Sequence, residues 1–74
     1  MSKKEKLIEK LKRGSITAAE ARLLLKHFGC KHTHIRGSHE YYKSDSGEFF
    51  VLATHTKDLK MYLIRDLRKL LLGD

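Results

Sequence analysis

Lys31-His32-Thr33-His34-Ile35-Arg36-Gly37-Ser38-His39-Glu40-Tyr41-Tyr42-Lys43 is the stretch around which the chain is organised. Thr33 and Ile35 precede a Gly-Ser pair and two tyrosines follow it, the pattern of two short strands joined by a tight turn. Strands joined so closely run antiparallel, because a parallel partner needs a crossover of about a dozen residues. The turn delivers His39 to the start of the second strand, and alternation puts Tyr41 and Lys43 on the same face as His39.

Toward the C-terminus, Ser44-Asp45-Ser46-Gly47 reads as a second turn and Glu48 to Thr54 as a third strand, completing an antiparallel meander. Phe49-Phe50-Val51-Leu52 is apolar at both parities, so both faces of this strand are expected to be dry. One face suits the helices. The other suits the N-terminal helix or a partner protein. Leu59, Leu63, Ile64, Leu67, Leu70 and Leu71 then recur at three- and four-residue steps, predicting a helix from Asp58 or Lys60 to Leu71. Lys57 and Lys60 lie at its start, against the helix dipole, which hints at phosphate contacts there.

Toward the N-terminus, Thr17-Ala18-Ala19-Glu20 has capping-box spacing and opens a helix that Gly29 closes. Ala21, Leu24, Leu25 and Phe28 form its apolar face, and Arg22 and Lys26 a solvated one. Leu7, Ile8 and Leu11 mark a shorter amphipathic helix over residues 3–13, ended by Gly14. The order is helix, helix, strand, strand, strand, helix. This is an α+β fold with the α-β-β-β-α order of a double-stranded-RNA-binding domain and an extra short N-terminal helix.

The chain has 74 residues, enough for one domain, with residues 1–14 appended to a core over residues 15–74. The formal charge of +7 calls for a polyanionic partner, with nucleic acid favoured over an anionic membrane surface. Most of the excess lies at the ends: residues 1–14 hold six basic and two acidic residues, and residues 57–74 five and three. Cys30 is the one cysteine and cannot form an internal disulfide, and the N-terminal Met1-Ser2-Lys3-Lys4-Glu5-Lys6 lacks a signal-peptide core. Both point to the cytoplasm. No apolar run has membrane-spanning length, so no membrane partner is expected.

Cleaving RNA without a metal needs a base for the 2′-OH, an acid for the leaving oxygen, and cations for the phosphorane charge. His39 is the candidate base or acid, because an ordinary histidine titrates near neutrality. Gly37 lets a phosphate backbone approach closely, Ser38 offers a hydrogen bond, Tyr41 orients substrate or stacks a base, and Lys43 binds phosphate. His55 is a candidate for the second proton-transfer group, although a loop histidine before a helix is commonly just solvated. By alternation His32 and His34 share a strand face and, with His39, imitate a metal site. No cysteine or carboxylate clearly joins them, so neither metal nor other cofactor is expected. The plainer reading of His39 is a strand histidine at a turn, and of the tyrosines cross-strand packing.

The Gly37-Ser38-His39 turn, the aromatics after it, the hydrophobic third strand, His55 and Lys57-Asp58-Leu59-Lys60 leading into a leucine-rich helix together resemble the HicA-type (YcfA-like) mRNA interferase toxins. Residues 3–11 resemble the opening helix of a longer branch of that family. The resemblance implies a double-stranded-RNA-binding-like fold and metal-independent cleavage of mRNA, with His39 as the catalytic histidine. It also implies neutralisation by a HicB-type antitoxin, with oligomers formed only through that complex. The alternative from another class is a non-catalytic basic RNA-binding module of the same fold.

Overall fold

A computed structural model describes residues 2–54 and 57–73. The elements are α1 (Lys3–Arg13), α2 (Ala18–His27), β1 (Lys31–Arg36), β2 (His39–Lys43), β3 (Phe49–Ala53) and α3 (Met61–Leu72). The strands form one antiparallel sheet in the order β1-β2-β3. This is the α-β-β-β-α arrangement of a double-stranded-RNA-binding-like fold, preceded by α1. No helix among the described residues is long and apolar enough to cross a membrane.

Local chemistry places the helix ends. At α2 the Glu20 backbone N–H donates to Thr17 Oγ1 at 3.2 Å while the Thr17 N–H donates to the Glu20 carboxylate at 3.0 Å, completing the capping box. Lys10 of α1 reaches the same carboxylate, so one side chain caps α2 and ties it to α1. At the other end of α2 the Cys30 N–H donates to the Leu25 carbonyl and the Gly29 N–H to that of Lys26, with Gly29 at φ +80°. Glycine is needed here because a side chain at that φ crowds the following carbonyl.

The core is one apolar cluster. Leu7 and Leu11 of α1, Leu24 and Leu25 of α2, and Leu63, Ile64 and Leu67 of α3 meet Phe50 and Leu52 of β3 and Tyr42 of β2. Leu11, Leu24, Leu25, Leu52 and Leu67 are fully buried. Each such side chain contributes about 1.5–3 kcal/mol relative to exposure. The link into α3 is held by backbone bonds: the Ala18 N–H donates to the Lys57 carbonyl at 2.9 Å and the Leu59 N–H to that of Ile16 at 3.3 Å.

Three expectations need correction. α1 packs on α2 and α3, in the helical layer, so it does not cover the far face of β3, and Phe49 there is 64% exposed. Arg22 is not merely solvated. It grips Glu40 of β2 through two bonds, Nε to Oε1 at 3.1 Å and Nη2 to Oε2 at 2.6 Å, and Glu40 also accepts from the Tyr42 hydroxyl at 2.8 Å. Finally, His32 and His34 do not share a face. The register shifts between them, so that His32 pairs with Tyr42 and His34 with Tyr41, leaving Thr33 as a bulge.

The Glu40 cluster ties α2 to the sheet. Burial pushes the Glu40 carboxyl up, but the hydrogen bonds from Arg22 and Tyr42 outweigh it and hold the group below its ordinary value. A carboxyl lowered in the folded state contributes stability that is present above its unfolded pKa and lost as pH falls through the folded one. Burial and then the bond to Glu40 push Tyr42 up from 10.0 to about 12. Its contribution is therefore whole below pH 10 and lost as pH rises toward 12.

Two outcomes are expected in urea unfolding. Glu40→Ala lowers stability by about 1–3 kcal/mol, because the buried Tyr42 hydroxyl loses its acceptor, and it removes the carboxyl's share of the acid sensitivity. Gly37 lies at φ +59°, and a Cβ added there meets nothing within 4 Å. Gly37→Ala therefore costs only backbone strain, about 1–2 kcal/mol.

Candidate active site on the open sheet face

The helices cover the sheet face that carries Tyr42, Phe50 and Leu52, which leaves the opposite face open along β1 and β2 and bordered by α3 at Val51 and Ala53. Pairing and alternation arrange that open face in three rows: Lys31, Lys43 and Phe49; His34, Tyr41 and Val51; Arg36, His39 and Ala53. Its cations are Lys31, Arg36 and Lys43, and among the described strand residues no carboxylate stands on it. The acid of β2, Glu40, faces the helices.

The turn that presents His39 has Gly37 at φ +59° and Ser38 at negative φ, the sign pattern of a two-residue type II′ hairpin loop. Arg36 and His39 are the pair that closes it. Behind the turn, the Thr54 backbone N–H and Oγ1–H both donate to the Ser38 carbonyl, each at 2.8 Å. The residue before His39 is thus anchored to the end of β3, two strands' width from the edge at β1.

His39 is exposed and also lines a groove of about 550 Å³ between β3 and α3, with Val51, Ala53, Tyr62, Asp66 and Lys69 among its walls. That is the volume range of small-ligand sites. Tyr41 is half-buried and stacks face to face on His34, with centroids 4.2 Å apart and planes 11° from parallel. Lys43 lies over the Phe49 ring, 5.5 Å from its centroid.

The structure therefore gathers Gly37, Ser38, His39, Tyr41 and Lys43 on one face or at its rim. Lys57 and Lys60 stand elsewhere. Lys57 borders a depression with Thr17, Ala18, Ala19, Arg22 and Thr54, and Lys60 is the exposed N-cap of α3. Neither lines the His39 groove. His55 lies outside the described residues. The three-histidine set does not assemble, because the bulge turns His32 to the helix side, where its ring meets Tyr42 edge-on at 5.2 Å. Cys30 is half-buried, and burial pushes its thiol up, away from reactivity.

Arg36, Thr33 and Thr54 escaped the sequence reading, and His34 entered it only within the metal-like set. Arg36 was within reach of it, since the closing pair of any two-residue hairpin sets the residue before the turn beside the residue after it. Thr54 was not, because its bond to Ser38 spans sixteen positions. Thr33 and the Thr33-positioned ring of His34 depend on the bulge, which alternation does not announce.

A family model described as the HicA toxin of bacterial toxin-antitoxin matches residues 18–71, most of the chain. No curated protein and no solved structure matches it. The match runs from the first residue of α2 to near the end of α3 and includes the whole open face. The chain belongs to the HicA toxin family, the toxin side of bacterial toxin–antitoxin pairs.

Proposed function

We propose that this toxin is a metal-independent endoribonuclease that cleaves mRNA with His39 in proton transfer, and that a HicB-type antitoxin neutralises it. The observation that carries the reading is the company His39 keeps: an exposed imidazole on a carboxylate-free strand face beside Arg36 and in line with Tyr41 and Lys43. Phosphate charge is drawn to such a surface, and cleavage needs both a proton-transfer group and cations to offset the phosphorane. Lys43 and Arg36 bind the RNA backbone, and Tyr41 offers an aromatic plane at the same level. The groove toward α3 gives a flanking nucleotide room beside His39, with Tyr62 as a second aromatic surface.

Gly37 serves the turn and access together: with no side chain at the tip, the backbone beside His39 stays approachable. Family membership supports the antitoxin, since a toxin of this kind is one half of a pair. Larger assemblies form through that complex.

Expression of the chain alone is expected to arrest growth and degrade mRNA, and purified protein is expected to cleave RNA in the presence of a chelator. Co-expression of the antitoxin restores growth. His39→Ala lowers the cleavage rate by about 10²–10⁴-fold with the fold intact. RNA binding that survives with no cleavage by the wild-type chain would instead establish the non-catalytic RNA-binding module. RNA affinity falls with salt, and Arg36→Ala and Lys43→Ala each reduce the slope of log K against log salt by about 0.7 for a single strand. An unchanged slope removes that residue from the phosphate contacts.

A further inference from the structure

We infer that His34 is the second proton-transfer group of this site, acting through Nε2 as the base for the 2′-hydroxyl while His39 protonates the leaving oxygen. The inference rests on the ribonuclease reading above and adds to it a residue, a tautomer and a division of labour.

The hydrogen bonds around Thr33 carry the argument. Thr33 Oγ1 lies 3.1 Å from the Tyr41 carbonyl oxygen and 3.1 Å from His34 Nδ1. A carbonyl only accepts, so the single hydroxyl proton goes to Tyr41, and Thr33 Oγ1 must accept from His34 Nδ1–H. Neutral His34 is thereby held as the Nδ1–H tautomer, with the lone pair on Nε2. A histidine whose Nδ1–H is bonded to a fixed acceptor, leaving Nε2 to react, is the arrangement a general base requires. The stack on Tyr41 fixes the ring plane as well. The bulge at Thr33 makes this possible, because it brings the hydroxyl within reach of both groups.

Placement supplies the second half. His34 pairs with Tyr41 and Arg36 with His39, so His34 and His39 are diagonal neighbours on one face. Such positions lie about 7–8 Å apart, with Cβ atoms somewhat closer. That spacing leaves room for a phosphodiester between the rings, with Arg36 and Tyr41 at the other corners. The charged and titratable groups facing His34 are Tyr41, His39 and Lys43 of β2 and Lys31 and Arg36 of its own strand. β3 contributes apolar Val51 and Phe49 to this face, while His39 is also faced across the groove by Glu48 and by Tyr62, Asp66 and Lys69 of α3.

In the step, His34 Nε2 takes the 2′-OH proton as the O2′–P bond forms, the P–O5′ bond breaks, and His39 gives its proton to O5′. The products are a 2′,3′-cyclic phosphate and a 5′-hydroxyl end. Atoms and charge balance with no further reactant, and the two histidines end with exchanged protonation states that solvent resets.

The test is steady-state cleavage of a short RNA by the full chain across pH, comparing wild type with His34→Gln, Thr33→Val and His39→Ala, each first checked for the native fold by amide NMR spectra. For His34→Gln we expect kcat to fall about 100-fold or more with KM little changed, and the acidic limb of the kcat/KM profile to disappear. Thr33→Val keeps that limb and loses about 10-fold in kcat. The wild type yields cyclic-phosphate ends, and imidazole nitrogen shifts report a protonated Nδ1 in neutral His34. If His39→Ala is inactive while His34→Gln keeps full rate and an unchanged profile, the role of His34 is overturned and the ribonuclease reading stands. A neutral His34 protonated on Nε2 overturns it as well. If the wild type cleaves no RNA, the ribonuclease reading falls and this inference with it.

Discussion

A two-residue turn at Gly37-Ser38 is the constraint on which the rest of this small protein depends. Gly37 takes a positive φ, the loop closes on the Arg36–His39 pair, and the register of β1 on β2 follows from that pair. Because side chains alternate, a slip by one residue would send His39, Tyr41 and Lys43 into the helices and Glu40 and Tyr42 out to solvent. The turn therefore decides which half of β2 enters the core and which half faces outward. Thr54 holds the same turn from the far side through the Ser38 carbonyl.

β2 divides its work by parity. Tyr42 enters the apolar core, and Glu40 binds the Tyr42 hydroxyl and Arg22 of α2, so the inward residues tie the helical layer to the sheet. The outward residues His39, Tyr41 and Lys43 stand outside the apolar cluster that joins the sheet to the helices. The same division separates charge: the strand's carboxylate is used up inside, and the outer face is left with cations alone. A polyanion meets no like charge from the strands there.

The open face also shows how an edge strand can be both protected and useful. All six residues of β1 are exposed, yet Lys31, Arg36 and the bulge at Thr33 discourage another strand from pairing with it. The bulge takes His32 away from the open face and brings the Thr33 hydroxyl between the Tyr41 carbonyl and the His34 ring. One extra residue thus dismantles an apparent metal site and organises a histidine in its place.

The order of elements, the ends of α2, the two turns and the shared face of His39, Tyr41 and Lys43 were all legible in the amino-acid sequence. They rest on local rules: apolar period, capping chemistry, positive-φ glycine and alternation act over a few residues. Contacts that span the chain were not legible. Arg22 looks like any solvated helix residue until the sheet lies under α2. Thr54 looks like the end of a strand until the turn folds back to it. α1, assigned to either face by its narrow stripe, joins α2 and α3 because Lys10 reaches Glu20 and Leu7 and Leu11 complete the apolar cluster. By itself, the sequence determined the order of elements and the strand position and face of His39. The tertiary structure alone decided the placement of His34, Thr33 and Thr54 around it, because a bulge and long-range hydrogen bonds are settled by pairing between distant segments and leave no periodic trace.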